Sequence, residues 1–159
     1  MEHEYNISMT QEIVTKATYI IDEETGEREL SIGYIKNYKG VPSYQVSNSP
    51  QHKKRKQQCS KQERNYDSTY GNFQKDLLNR ILNVANFKYT GATGISPYNG
   101  REYYIFNDVP NTALKHYVDI NTKYLSHSVM DFCSDPNSQP LCNNGKSDRY
   151  DLHEYTYTD

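Results

Sequence analysis

Sixteen tyrosines and no tryptophan set the terms on which this 159-residue chain can fold. Leu, Ile, Val and Phe together number 29. At about 18% of the chain, that is the level of disordered sequences when net charge is also high. Net charge here is only −2, so a folded state needs another source of buried apolar surface. Tyrosine supplies it, because each ring buries a large area while its hydroxyl reaches a partner or water. The length fits one domain, 1–159, around one core. Its interior should be walled with tyrosine, with other rings left at the surface, where tyrosine favours contact with partners.

The hydrophobic pattern starts as strands. Glu12 to Ile21, EIVTKATYII, alternates with Ile13, Ala17, Tyr19 and Ile21 on one face. DEETGE is a turn whose Gly26 can take positive φ. RELSIGYIKNY returns with Leu30, Ile32, Tyr34 and Tyr38 on one face, and KGVP leads to a third strand, SYQVS. Residues 1–11 are polar and read as a frayed end. Past a basic connection, STYGNFQKDLLNRILNVANF places Phe73, Leu77, Ile81, Val84 and Ala85 at helical spacing, with Asp67 or Ser68 as cap. YTGATGISPYNG reads as a flexible connection and REYYIFN as a fourth strand. A second helix follows, capped by Asp108 and opened by Pro110, with Leu114, Tyr117, Val118, Asn121, Tyr124 and Leu125 as its stripe. LHEYTYT reads as a closing edge strand. The expected fold is α+β, an antiparallel sheet (a three-stranded meander plus a later strand) with two helices packed on one face. A basic connecting segment, 51–66, and a loop-rich C-terminal part, 134–159, complete it.

Motifs for chemistry fail on spacing. Gly145-Lys146-Ser147 lacks the earlier glycine of a phosphate loop, since position 140 is Pro140. His116, His127, Cys133, Cys142 and His153 show none of the close pairs that a structural zinc site uses. No local nucleophile signature is present, so no catalytic residue, metal or cofactor is expected. Tyr38-Lys39-Gly40 followed by Tyr44-Gln45-Val46-Ser47-Asn48 resembles a segment of the accessory DNA-binding modules of homing endonucleases. That resemblance covers about eleven residues, with two extra residues interrupting it, and no His-Asn-His core follows. A strand preceded by a turn produces the same letters, and no family is assigned on it.

Charge is distributed more sharply than its total suggests. QHKKRKQQCSKQER, residues 51–64, holds six Lys or Arg and one Glu, while the other 145 residues carry twelve positive and nineteen negative side chains. Three readings compete for this stretch. It is a solvated loop; or Lys53, Lys54, Arg55, Lys56, Lys61 and Arg64 touch a nucleic-acid backbone beside Tyr66 or Tyr70; or KKRK is a nuclear import signal. No apolar run approaches the roughly 18 residues of a membrane span. The first thirty residues show no signal peptide, and three irregularly spaced cysteines suit a reducing compartment. Abundant Asn, Tyr, Lys and Ile are what an AT-rich genome encodes, as in many phages and plasmids.

These features point to a small cytosolic (or, in a eukaryotic setting, nuclear) binding protein without enzymatic activity. It would occupy a protein or nucleoprotein target through a tyrosine-rich face and the basic segment, as an inhibitor of nucleic-acid-processing or defence machinery does. A direct DNA- or RNA-binding protein is the second reading. A small enzyme such as a nuclease, its site assembled from scattered residues, is the third.

Overall fold

A computed structural model describes residues 1–22, 24–38, 43–47, 58–62, 73–109, 114–132 and 149–158. Ten strands dominate it: β1 (Glu2–Ser8), β2 (Ile13–Ile21), β3 (Arg28–Asn37), β4 (Ser43–Ser47), β5 (Gln58–Gln62), β6 (Phe87–Ile95), β7 (Glu102–Asp108), β8 (Leu114–Asp119), β9 (Leu125–Phe132) and β10 (Arg149–Thr158). Their order in the sheet is β5-β4-β3-β2-β1-β10-β9-β8-β7-β6. The α+β expectation is therefore wrong. Described helix amounts to four α-helical residues, Phe73–Asp76, five π-helical ones, Leu77–Ile81, and a 3₁₀ turn, Val84–Asn86. No pair of helices covers a sheet face among the described residues.

The chain divides into two compact units, Met1–Asp76 with Tyr155–Asp159, and Leu77–Glu154. In the first, β1 to β5 pair in sequence, each antiparallel to the next. β10 follows β1 in the strand order, so LHEYTYT is an interior strand rather than an edge. Tyr5 stacks on Tyr155, and the Thr158 hydroxyl donates to the Ile7 carbonyl at 3.5 Å. Partners that advance together in both strands mean β1 and β10 run parallel, which makes the sheet mixed. The registers draw rows across it. His3, Thr18, Ile32, Ser47 and Gln58 form one; Tyr5, Lys16, Tyr34, Gln45 and Ser60 form the next; Ile7, Val14 and Lys36 begin a third on the same face. Tyr5, Ile7 and Val14 are buried there. The alternation of Ile13, Ala17, Tyr19 and Ile21 thus marks the opposite, half-exposed face. An irregularity between Thr18 and Tyr19 pairs Leu30 with Tyr19 and so separates it from Ile32 and Tyr34.

The second unit pairs β6 to β9 antiparallel in sequence, with β10 beside β9. Tyr103, Tyr117, Val129 and Leu152 form its core cluster, with Ile105 packed against them. The expected long helix ends early for a local reason. Asn83 takes a left-handed backbone, φ 50°, which breaks helical winding and which asparagine tolerates better than most residues. Before it, the Leu82 amide donates to the Leu77 carbonyl at 2.8 Å. This five-residue step brings Leu77 and Leu82 to buried positions and leaves Leu78 exposed. The second expected helix is a β8–β9 hairpin. Asp119 closes its turn by accepting the amides of Asn121 and Thr122 through Oδ1, and Lys123 supplies a positive φ. The supposed flexible connection is strand β6 and the tight Ser96–Arg101 hairpin. There the Ser96 amide donates to the Arg101 carbonyl and the Gly100 amide to the Ser96 carbonyl.

Candidate functional site

β6, β7 and β8 carry a run of rings on the face opposite the core cluster. Phe87, Asp108, Tyr89, Phe106 and His116 are joined on that face by register. Tyr89 lies 5.1 Å from Phe106 and 6.0 Å from Tyr104, and Phe87 stacks on His116 with centroids 3.7 Å apart. The Lys123 ammonium sits 4.6 Å from the Tyr104 ring centre and donates to its hydroxyl. Tyr89 is 45% exposed. It belongs to β6, the outermost strand of this unit. Elsewhere Tyr44, Tyr98 and Tyr124 are also exposed, whereas Tyr5, Tyr103 and Tyr117 are buried. Tyrosine therefore serves both as core and as surface.

Beneath the ring run lies a buried Asp-His-Ser chain. Asp108 Oδ2 is 3.5 Å from His116 Nε2, and His116 Nδ1 is 2.7 Å from Ser128 Oγ. Burial lowers the pKa of His116, outweighing the pull of Asp108 in the other direction. A neutral ring that donates through Nε2 to Asp108 accepts the Ser128 hydroxyl through Nδ1. Acid, base and hydroxyl in sequence are what nucleophilic catalysis asks for. Access is missing: Asp108, His116 and Ser128 are 3%, 4% and 4% exposed, and Phe87 covers the imidazole. A substrate carbonyl cannot reach Ser128 in this arrangement. Its role here is to satisfy buried polar groups.

His127 faces the other way, into the core. Its Nε2 is 2.8 Å from Ser96 Oγ and its Nδ1 is 3.0 Å from Ser126 Oγ. Its ring stacks on Tyr117 at 4.5 Å and meets the edge of Tyr103 at 5.0 Å. Ser96 Oγ also accepts the Tyr98 amide at 3.2 Å, and with its proton and a second lone pair left it can pair with Nε2 in either tautomer. Burial pushes the pKa of His127 down to about 4. The ring is neutral and fully engaged.

Register separates one of the zinc candidates from two others. His116 and His153 share a row through Ser128, whereas His127 pairs with Tyr117 on the opposite face and cannot join them at a metal. No three potential metal ligands gather among the described residues. Cys133, Cys142 and the Gly145-Lys146-Ser147 tripeptide lie outside the described residues. So do Lys53, Lys54, Arg55, Lys56, Arg64, Tyr66 and Tyr70. Lys61 is described: it is exposed on β5, opposite Tyr44, which is itself opposite Ile35. The structure thus places one predicted contact residue beside exposed Tyr44 and Ile35. The ring run on β6 to β8 is hard to find in the sequence because its segments read as loop and helix. Alternation of Tyr104 with Phe106 and of Phe87 with Tyr89 is the signal that points to it. Among the described residues, no helix is long and apolar enough to cross a membrane. Comparison with protein-family models, with curated proteins and with solved structures finds no match for this chain.

Proposed function

We propose that this protein acts by binding rather than by catalysis, occupying a protein or nucleoprotein target in the cytosol through the aromatic surface of β6 and β7. The observation that carries the reading is Tyr89. It is a large ring, 45% exposed on an outermost strand, backed by Phe106 and Tyr104. Rigid rings that are already packed on one side lose little entropy when a partner covers the other. Tyrosine is also over-represented among residues that dominate binding energy. Inhibition of nucleic-acid-processing machinery by a phage- or plasmid-borne protein is the biological setting that composition and the basic segment favour.

The test is affinity capture from the native host with wild type and with Tyr89→Ala/Tyr104→Ala, each with and without nuclease. The expected result is a stoichiometric, nuclease-resistant protein that the double variant retains at least about tenfold less well, its melting temperature unchanged. Equal capture by both forms, or capture of nuclease-sensitive material alone, would refute the reading.

A further inference from the structure

The two faces of the first unit differ at their centres. Tyr5, Ile7 and Val14 are buried on one. On the other, the register partners Ile35 and Tyr44 are 45% and 41% exposed. The registers lay out this second face in two adjacent rows. Asn6, Thr15, Ile35, Tyr44 and Lys61 form one; Glu4, Ala17, Gly33, Val46 and Cys59 form the other. The first row rises at Ile35 and Tyr44. The second dips at Ala17 and Gly33, and a Cβ on Gly33 would touch only the Lys16 carbonyl oxygen, at 3.7 Å. Charge is graded across the same rows. At β1, Glu2 and Glu4 share one guanidinium, that of Arg28, so one negative charge is left over between them. At β5, Lys61 is exposed and forms no ion pair with another described residue.

A half-exposed apolar face whose two ends carry opposite charge is complementary to itself. We propose that this face binds a second copy of the chain, with a two-fold axis along β3. Such an axis sets β2 against the partner's β4 and β1 against the partner's β5. Ile35 then meets its own counterpart at the centre. Tyr44 lies over the partner's Thr15 and Val46 over the partner's Ala17, large against small at both positions. Lys61 of each copy comes within reach of Glu4 of the other, one row away, because packed sheets are about 10 Å apart and rows follow one another at about 7 Å. A foreign protein would have to reproduce both the charge gradient and the pattern of sizes. A second copy has them by symmetry. The ring run around Tyr89 takes no part in this contact, so either reading can fail alone.

Sedimentation equilibrium of the full-length protein should show a reversible dimer of twice the 18.6 kDa chain mass. Ile35→Asp sets two carboxylates against each other at the axis and should weaken the dimer at least about tenfold, while circular dichroism shows the variant still folded. Lys61→Glu and Glu4→Lys should each weaken it as well, since each opposes like charges twice per dimer. Mixed in equal amounts, these two variants should form a dimer again, because both contacts of the mixed pair join opposite charges. Mere damage to the surface would not be repaired by mixing. Should Glu4→Lys melt early for loss of its bond to Arg28, the expected substitute is a set of dilution-dependent amide NMR shifts in wild type, confined to β1–β5 and absent from Ile35→Asp. A monomer at every soluble concentration, a dimer indifferent to Ile35→Asp, no recovery on mixing two folded variants, or dilution shifts in β6–β9 alone would overturn the assignment. So would a monomeric wild type that captures a host protein and loses it on Ile35→Asp, which would give the face to a foreign partner.

Discussion

The two units handle polar side chains in opposite ways. Around β1–β3 the charged groups are half-buried or, in Arg28, exposed, and they are sorted by face: Glu2 and Glu4 with Arg28 on one side, Lys16 and Lys36 over tyrosine rings on the other. The interior there consists of Tyr5, Ile7, Val14 and Phe73, the last meeting the edge of Tyr38 at 5.1 Å. Around β6–β9 the polar groups go inward. His116, His127, Ser96, Ser128 and Asp108 are all buried, and hydrogen bonds join each of them to a neighbour. A chain short of aliphatic residues thus has two ways to complete a sheet. It can sort charged side chains by face, each beside an opposite charge or a ring, or bury polar groups that are joined by hydrogen bonds.

Placing a charge in the apolar interior should have the largest effect. Val14 is fully buried on the face opposite the one the sequence alternation marks. Val14→Asp should cost several kcal/mol, enough to unfold β1–β3, as read by hydrogen exchange in those strands. Ile13→Asp, on the opposite face, should be tolerated far better, and equal damage from the two would reverse the face assignment.

The next effect is acid sensitivity confined to the second unit. His127 has a pKa of about 4 when folded and an ordinary value near 6.5 when unfolded. Protonation therefore favours the unfolded state. The stability due to the neutral ring is fully present above about pH 6.5, declines as pH falls, and is gone below about pH 4. The difference corresponds to about 3 kcal/mol, and burial of His116 acts in the same direction. Urea unfolding should show about 2 kcal/mol of this loss in β6–β9 between pH 7 and pH 5, and His127→Leu should flatten the dependence. An unchanged slope in that variant would mean another group is responsible.

Smaller still is Ser96→Ala, which leaves His127 Nε2 buried without its hydrogen-bond partner, at a cost of about 1–3 kcal/mol by urea unfolding. Serine at 0% exposure that could be replaced without loss would show the bond to be incidental. Smallest is Arg28→Ala. Its ion pairs with Glu2 and Glu4 are solvent-accessible, so the expected cost is below about 1 kcal/mol and should shrink further in high salt.

What could be read from the sequence follows the same division. β2, β3 and β4 are legible because alternating residues flank turn-forming segments with Gly26 at φ 71°. β7 is legible for its unbroken run of Tyr, Ile and Phe. β1 is not, since only Tyr5 and Ile7 are inward and apolar among polar neighbours. β6 contains Gly91 and Gly94, which suggest a hinge. The structure gives Gly91 a positive φ beside a register shift, and packs Ile105 where a side chain on Gly94 would meet it at 2.5 Å. β8 and β9 place Leu114, Tyr117, Val118, Asn121, Tyr124 and Leu125 at helical spacing by coincidence, because the Asp119 turn falls between them. The buried positions of the two strands include His116 and Ser128 on one face and His127 on the other, residues that read as exposed until each is seen to have a buried partner. Polar pairing across strands is long-range information, and a periodicity of apolar letters does not contain it.

The claim that the second unit is built on neutral, fully bonded histidines is tested most directly by long-range ¹H–¹⁵N NMR of the imidazoles between pH 7.5 and pH 4.5. His127 should remain predominantly neutral throughout the range in which β6–β9 stay folded, its pKa lying near 4. Titration of His127 with a midpoint near 6.5 in the folded protein would contradict it.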